Sequence, residues 1–178
     1  IVHDDPGYRH YPVKETENAI KDDPEALQGL IAINARALWE LGYTGKGTIA
    51  LGIDTGIFPD HPTFTNRFLG NFLPLSQSWF GFNNSWPYDI GSSSHGTHTM
   101  GTTLGMTTSW GDTIGVAYNA YFMAADPIVG SQSVIRPRSE LMASFEWSLN
   151  PDGDDETVSD VPDAINNSWG ITNTGNPE

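Results

Sequence analysis

The sequence predicts an α/β protein built on a mainly parallel sheet. Two near-continuous apolar runs, Thr48–Ile53 and Ala120–Ala125, have the composition of strands buried on both faces, as parallel sheets require. A stretch of small residues with helical character follows His95 between them. An amphipathic stretch over Arg138–Leu149 precedes a further strand-like segment that starts at Ala164 and ends in a turn by Gly170. Strand, helix and strand in repeated order point to helical crossovers between parallel strands.

A chain of 178 residues is long enough for one domain with a real core. It holds no apolar run of about 18 residues, so no membrane span is predicted. The formal charge is −14 and the pI is near 4.4. Such a surface repels phosphate backbones and argues against a nucleic-acid partner. With no cysteine, neither a disulfide framework nor a thiolate metal site is available, which fits a secreted bacterial protein. The sequence opens on Ile1 and shows no signal peptide, so a processed product, a fragment or part of something longer is expected. Its 6 Trp fit either ordinary core and surface packing or an aromatic-lined substrate groove.

Residues 1–24 mix charge and proline with few aliphatics and read as an N-terminal arm, a propeptide remnant or a linker. His3, Asp4, Asp5 and His10 offer metal ligands there, but a solvated arm is the simpler reading. Pro24-Glu25 then opens a helix, with Asp22, Asp23 and Glu25 suited to its positive end. Leu27, Leu30, Ile31, Asn34, Leu38 and Leu41 follow helical spacing, and Gly42 is placed to end it. Gly45-Lys46-Gly47 makes a tight turn. It is no phosphate loop, because the four-residue spacer and the hydroxyl after Lys are missing.

Asp54 falls at the carboxyl end of the first apolar run, followed by Thr55-Gly56. Ligands of open α/β sheets bind beyond the carboxyl ends of strands, so a carboxylate there suits chemistry better than packing. Asp-Thr-Gly also occurs in aspartic proteases, which need two copies; one is present. Residues 57–93, rich in Pro, Asn, Gly and aromatics, read as a surface insertion folded on its own rings or flanking a cleft. Asn83-x-Ser85 within it is a formal glycosylation sequon.

Ser92-Ser93-Ser94 lead into the helix from His95. Gly101 and Gly105 within it imply close approach of a neighbouring backbone, since each glycine costs about 1 kcal/mol against Ala. His95, in the first turn, faces the strand ends where Asp54 lies, and His98 reads as a hydrogen-bonded structural residue. Zinc is disfavoured at His95 and His98: their spacing is i, i+3, and no Glu follows the first His. Leu141, Met142, Phe145 and Leu149 share one face of the later helix. Asp152, Asp154, Asp155, Glu156, Asp160 and Asp163 form a solvated acidic loop without an EF-hand pattern.

GIDTG, HGTHTMGT and INNSWG, in that order, resemble the subtilisin-like serine proteases, the subtilases. GYTGKG, the variant HGTHTMGT and WSLNPDG before DAINNSWG look most like the bacillopeptidase F-type branch. The resemblance spans about residues 25–178, read as the N-terminal part of a subtilase catalytic domain. It implies a three-layer α/β fold, incomplete in this chain, and serine-type endopeptidase activity on protein or peptide substrates outside the cell. Asp54 matches the triad Asp and His95 the general base; Ser168, Trp169 and Gly170 match the segment that pairs with extended substrate. Tyr118 stands where the family usually has Pro.

The triad order of subtilisin is Asp, His, Ser, yet no Gly-Thr-Ser-Met/Ala segment occurs here and nothing matches the oxyanion Asn. The chain alone is therefore expected to be inactive. A nicked protein with the serine on a second chain, a partial sequence, or a degenerate domain would each explain this. The alternative function is a non-catalytic peptide-binding or assembly module on the same scaffold. The chemistry requires no cofactor. The resemblance allows Ca2+ as a structural ion, but no ligand set is legible, Met106–Ile114 included.

Overall fold

A computed structural model of the chain describes residues 28–64, 66–90, 94–107, 112–129 and 137–170. The arm with His3, Asp4, Asp5 and His10, the helix start at Pro24, Leu27, Ser92 and Ser93 lie outside the described residues.

The sheet forms because its two central strands are apolar on both sides. Strands β1 (Ile49–Ile53) and β5 (Tyr121–Ala125) are buried along their whole length. They pair in parallel, Leu51 opposite Met123. β2 (Trp79–Phe80) adds in parallel to β5, and β6 (Ala164–Asn166) adds in parallel to β1. The order is β2-β5-β1-β6. A short antiparallel pair, β3 (Met106–Thr107) and β4 (Asp112–Thr113), stands apart.

The strand side chains alternate between two cores. Ile49, Leu51, Ile53, Tyr121, Met123 and Ala125 face one side, where Phe145 and Trp147 of helix α4 (Arg138–Ser148) pack on them. Ala50, Phe122 and Ala124 face the other, against Met100 and Leu104 of helix α3 (His95–Leu104). The result is helix, sheet, helix in three layers. At Gly52 a Cβ would meet the Met100 side chain at 2.8 Å, so this glycine lets α3 lie close over β1.

Residues 57–90 depart from the expected surface insertion. Phe64, Phe68, Leu69 and Trp79 are core residues, and Phe64 and Phe68 lie against Phe122 with ring centroids 4.7 and 5.4 Å apart. Trp79–Phe80 is itself a strand of the sheet. Arg67, also buried, donates to the carbonyls of Phe64, Ala120 and Thr63, and burial lowers its pKa to about 10. These carbonyl bonds hold the segment on the start of β5. Only Phe72, Trp86 and Tyr88 among its large apolar groups stay exposed.

The first helix is split. α1 (Gln28–Ala32) and α2 (Ala35–Glu40) break at Asn34, whose φ of 57° lies in the left-handed region. The break changes the buried face to Leu30, Ala35 and Trp39, and leaves Ile31, Leu38 and Leu41 exposed. Gly42 does end α2: it donates to Trp39, and Tyr43 to Leu38, closing a Schellman motif. The glycine expectation for α3 also needs correction. Gly101 has open space where a Cβ would stand, whereas Gly105, just past the helix end, is tightly packed: a Cβ there would meet Thr63 Oγ1 at 2.6 Å. The helix comes close to its neighbour at Gly96.

Candidate active site

Asp54 follows β1 directly, and its N–H donates to the Ala125 carbonyl as though the ladder continued. His95 is the first residue of α3. Gly56 and Gly96 bring the two elements together. A Cβ on Gly96 would stand 2.1 Å from the Gly56 carbonyl oxygen, and one on Gly56, at φ 113°, would stand 2.0 Å from the Tyr88 carbonyl oxygen. Only glycine permits this backbone approach.

The approach joins the two side chains. His95 Nδ1 lies 2.7 Å from Asp54 Oδ1. Asp54 is buried, at 1% exposure, while the His95 side chain is 43% exposed. Oδ1 also accepts from the Thr55 N–H at 2.7 Å, and Oδ2 from the Thr99 hydroxyl at 3.3 Å. With both oxygens engaged by these donors, the buried carboxylate fixes the ring through Nδ1. Nε2 is then the imidazole's remaining acceptor.

Ser168, Trp169 and Gly170 follow β6. The Trp169 indole N–H donates to the Ile53 carbonyl at 2.8 Å, so the ring is anchored at the end of β1, one residue before Asp54. The Ser168 hydroxyl donates to Asn166 Oδ1 at 3.1 Å. Ser168 and Gly170 are exposed, and neither backbone is paired with another described residue. The expected cluster thus lies at one end of the sheet, with Trp169 serving as an anchor.

His98 is exposed and its ring makes no hydrogen bond among the described residues, in contrast to the structural bond expected of it. Among the described residues no three His, Asp or Glu side chains gather as a metal-binding group. The acidic loop is less uniformly solvated than its composition suggests. Asp160 is buried and accepts from the Asp152 N–H at 2.9 Å, and burial raises its pKa. Asp163 accepts from the Ile49 N–H at 2.8 Å.

Thr55, Asp89, Thr97 and Thr99 surround the pair, and the sequence alone assigns none of them a part in the site. One signal was available: Asp89 is the only Asp, Glu, Lys or Arg between Arg67 and Asp112.

The fold and site together define an α/β protein with a carboxylate–imidazole pair at the carboxyl end of a parallel sheet. Residues 45–178 match the Subtilase family, and the chain belongs to it. It is 29% identical over 170 residues to Bacillopeptidase F of Bacillus subtilis (strain 168), covering 90% of this chain and 12% of that protein. It is 32% identical over 142 residues to Subtilisin E of the same strain, covering 80% of this chain and 32% of that protein. The CspB protease of Clostridium perfringens shares the fold, with a TM-score of 0.51 and 20% identity, over 66% of this chain and 28% of that one.

Proposed function

We propose that the chain carries the Asp and His of a subtilisin-type serine endopeptidase, with Asp54 and His95 as its catalytic residues. The 2.7 Å contact between His95 Nδ1 and Asp54 Oδ1 carries this reading. The nucleophilic serine and the oxyanion Asn come from further residues or a second chain, because neither motif occurs in the 178 residues. His95 Nε2 takes the serine proton as the hydroxyl attacks a peptide carbonyl, then delivers it to the leaving amine. Asp54 fixes the tautomer and stabilises the imidazolium. The imidazole acts as a base, so Nε2 must reach the serine with its lone pair free. The reaction needs no cofactor.

An extended peptide would add as a strand along Ser168–Gly170, whose backbone groups are open to pairing. Trp169, bonded to Ile53, ties that strand to the position of Asp54. Secretion fits both the absence of cysteine and the bacterial subtilisin relatives.

Fluorophosphonate labelling tests the reading. The isolated chain stays unlabelled; the same chain joined to its serine-bearing residues is labelled at that serine. His95→Ala or Asp54→Asn in the completed protein lowers kcat by about 10⁴-fold or more. A completed, folded protein that neither labels nor hydrolyses peptides, yet retains peptide binding, is instead a binding module.

A further inference from the structure

Asp89 is a buried carboxylate that the proposed proton transfer leaves unused. Both of its oxygens are engaged. Thr55, the neighbour of Asp54, donates its hydroxyl to Oδ1 at 2.7 Å. Thr97, in the first turn of α3, donates its N–H to Oδ2 at 2.8 Å and its hydroxyl at 2.7 Å. The threonines carry the network onward. Thr55 Oγ1 accepts from the Gly96 N–H at 3.0 Å, and Thr97 Oγ1 from the Phe58 N–H at 3.0 Å. The Ile90 N–H closes the same junction by donating to the Thr55 carbonyl at 3.1 Å. One carboxylate therefore ties the exit of β1 to the start of α3, and its bonds straddle both members of the Asp54–His95 pair.

A helix cap alone does not account for this arrangement. An N-terminal cap needs one acceptor, ordinarily from the residue just before the helix. Ser94 occupies that position and makes no side-chain cap bond. The acceptor comes instead from Asp89, whose other oxygen holds the residue beside Asp54. Burying a full charge is costly unless hydrogen bonds replace its water. Here the replacing donors belong to the two elements that must stay in register.

We propose that Asp89 is a positioning residue: it sets the distance and angle between Asp54 and His95 by fixing the backbone on which they stand. The inference rests on that pair being the proton relay of the proposed protease. Such relays tolerate misplacement of only about 0.5–1 Å.

NMR of the chain labelled with ¹⁵N-histidine reads this clamp without any turnover. The His95 proton between Nδ1 and Asp54 gives a downfield ring resonance in the wild-type protein. Asp89→Asn broadens or removes it while circular dichroism and cooperative unfolding persist. Thr55→Val has the same effect, and Thr55→Ser, which keeps the hydroxyl, restores the signal; this pair carries the test if Asp89→Asn does not fold. In the serine-completed protein, Asp89→Asn lowers kcat about tenfold to a hundredfold with KM within about twofold. A wild-type chain without the resonance overturns the proposal, and so does a folded Asp89→Asn or Thr55→Val protein with wild-type resonance and kcat. Loss of the resonance in the variants, with no turnover by any completed protein, overturns the protease reading and leaves the clamp standing.

Discussion

At Asp54 and Asp126 the chain buries two carboxylates beside each other's strands and treats them differently. Asp54 is bonded to the His95 ring, the Thr55 N–H and the Thr99 hydroxyl. Asp126, directly after β5 and fully buried, lies in a nest of backbone donors from Phe82, Asn83 and Asn84. Burial pushes the Asp126 pKa up, and those donors only partly pull it back. The folded protein therefore holds this proton more tightly than the unfolded chain does. As pH rises from the ordinary carboxyl range near about 4, the unfolded chain loses its proton first. The contribution of Asp126 to stability falls across that window and levels off above the folded pKa. Asp126→Asn removes this slope, leaving that of Asp160, whose pKa burial also raises. At neutral pH it also turns an amide donor toward backbone donors, at a cost of about 1–3 kcal/mol. Urea titrations between pH 4 and 7 measure both effects; an unchanged slope in Asp126→Asn would show that another group sets it.

The junction of β1 with α3 depends on Gly96 at the scale of whole elements. Gly96→Ala places a methyl 2.1 Å from the Gly56 carbonyl oxygen and 3.2 Å from Asp54 Cβ. The first obstacle is backbone, so the helix must lift from the strand, at a cost of about 1–3 kcal/mol. His95 moves with the helix. Thermal unfolding should show the loss of stability, and the proposed protease, completed with its serine, should lose kcat well beyond what that loss explains; wild-type turnover in Gly96→Ala would refute the packing argument. The strands flanking this junction are legible because burial on both faces writes a continuous apolar run at Ile49–Ile53 and Tyr121–Ala125. Asp54 and His95 are legible because short motifs fix them at the ends of elements. Trp79–Phe80 is not: a pair of residues at a sheet edge has no period. Phe64 and Phe68 are hidden in the same way, since one lies in a 3-10 turn and the other in an isolated bridge to Phe122, neither with a period. In α4 the fully buried positions are Ser144 and Ser148, whose hydroxyls donate to Glu140 and Phe145 within the helix. That satisfaction lets polar residues occupy the inner face, while Met142 and Leu149 of the expected apolar face stay exposed.

Taken whole, the chain spans 32% of the length of Subtilisin E and 12% of that of Bacillopeptidase F. Ala164 and Ile165 of β6 are exposed, as are Met142 and Leu149, and no described element covers them. Charge acts on the same scale. With 22 Asp and Glu against 8 Lys and Arg, the folded chain concentrates a net −14 that unfolding would spread over a larger volume. Exposed Asp154, Asp155 and Glu156 add to this repulsion within one loop. Screening should therefore favour the folded form. The Debye length falls from about 30 Å at 0.01 M salt to about 8 Å at 0.15 M, which is enough to separate charges on opposite sides of the domain. Calorimetry of the chain should show Tm rising over that range, by about 2–4 °C for each kcal/mol of repulsion relieved. NaCl and KCl at equal ionic strength should act alike, because screening does not distinguish them. A Tm that falls with salt would mean that attractive pairs outweigh the net charge, and a rise confined to one cation would mean a specific site instead of a diffuse field.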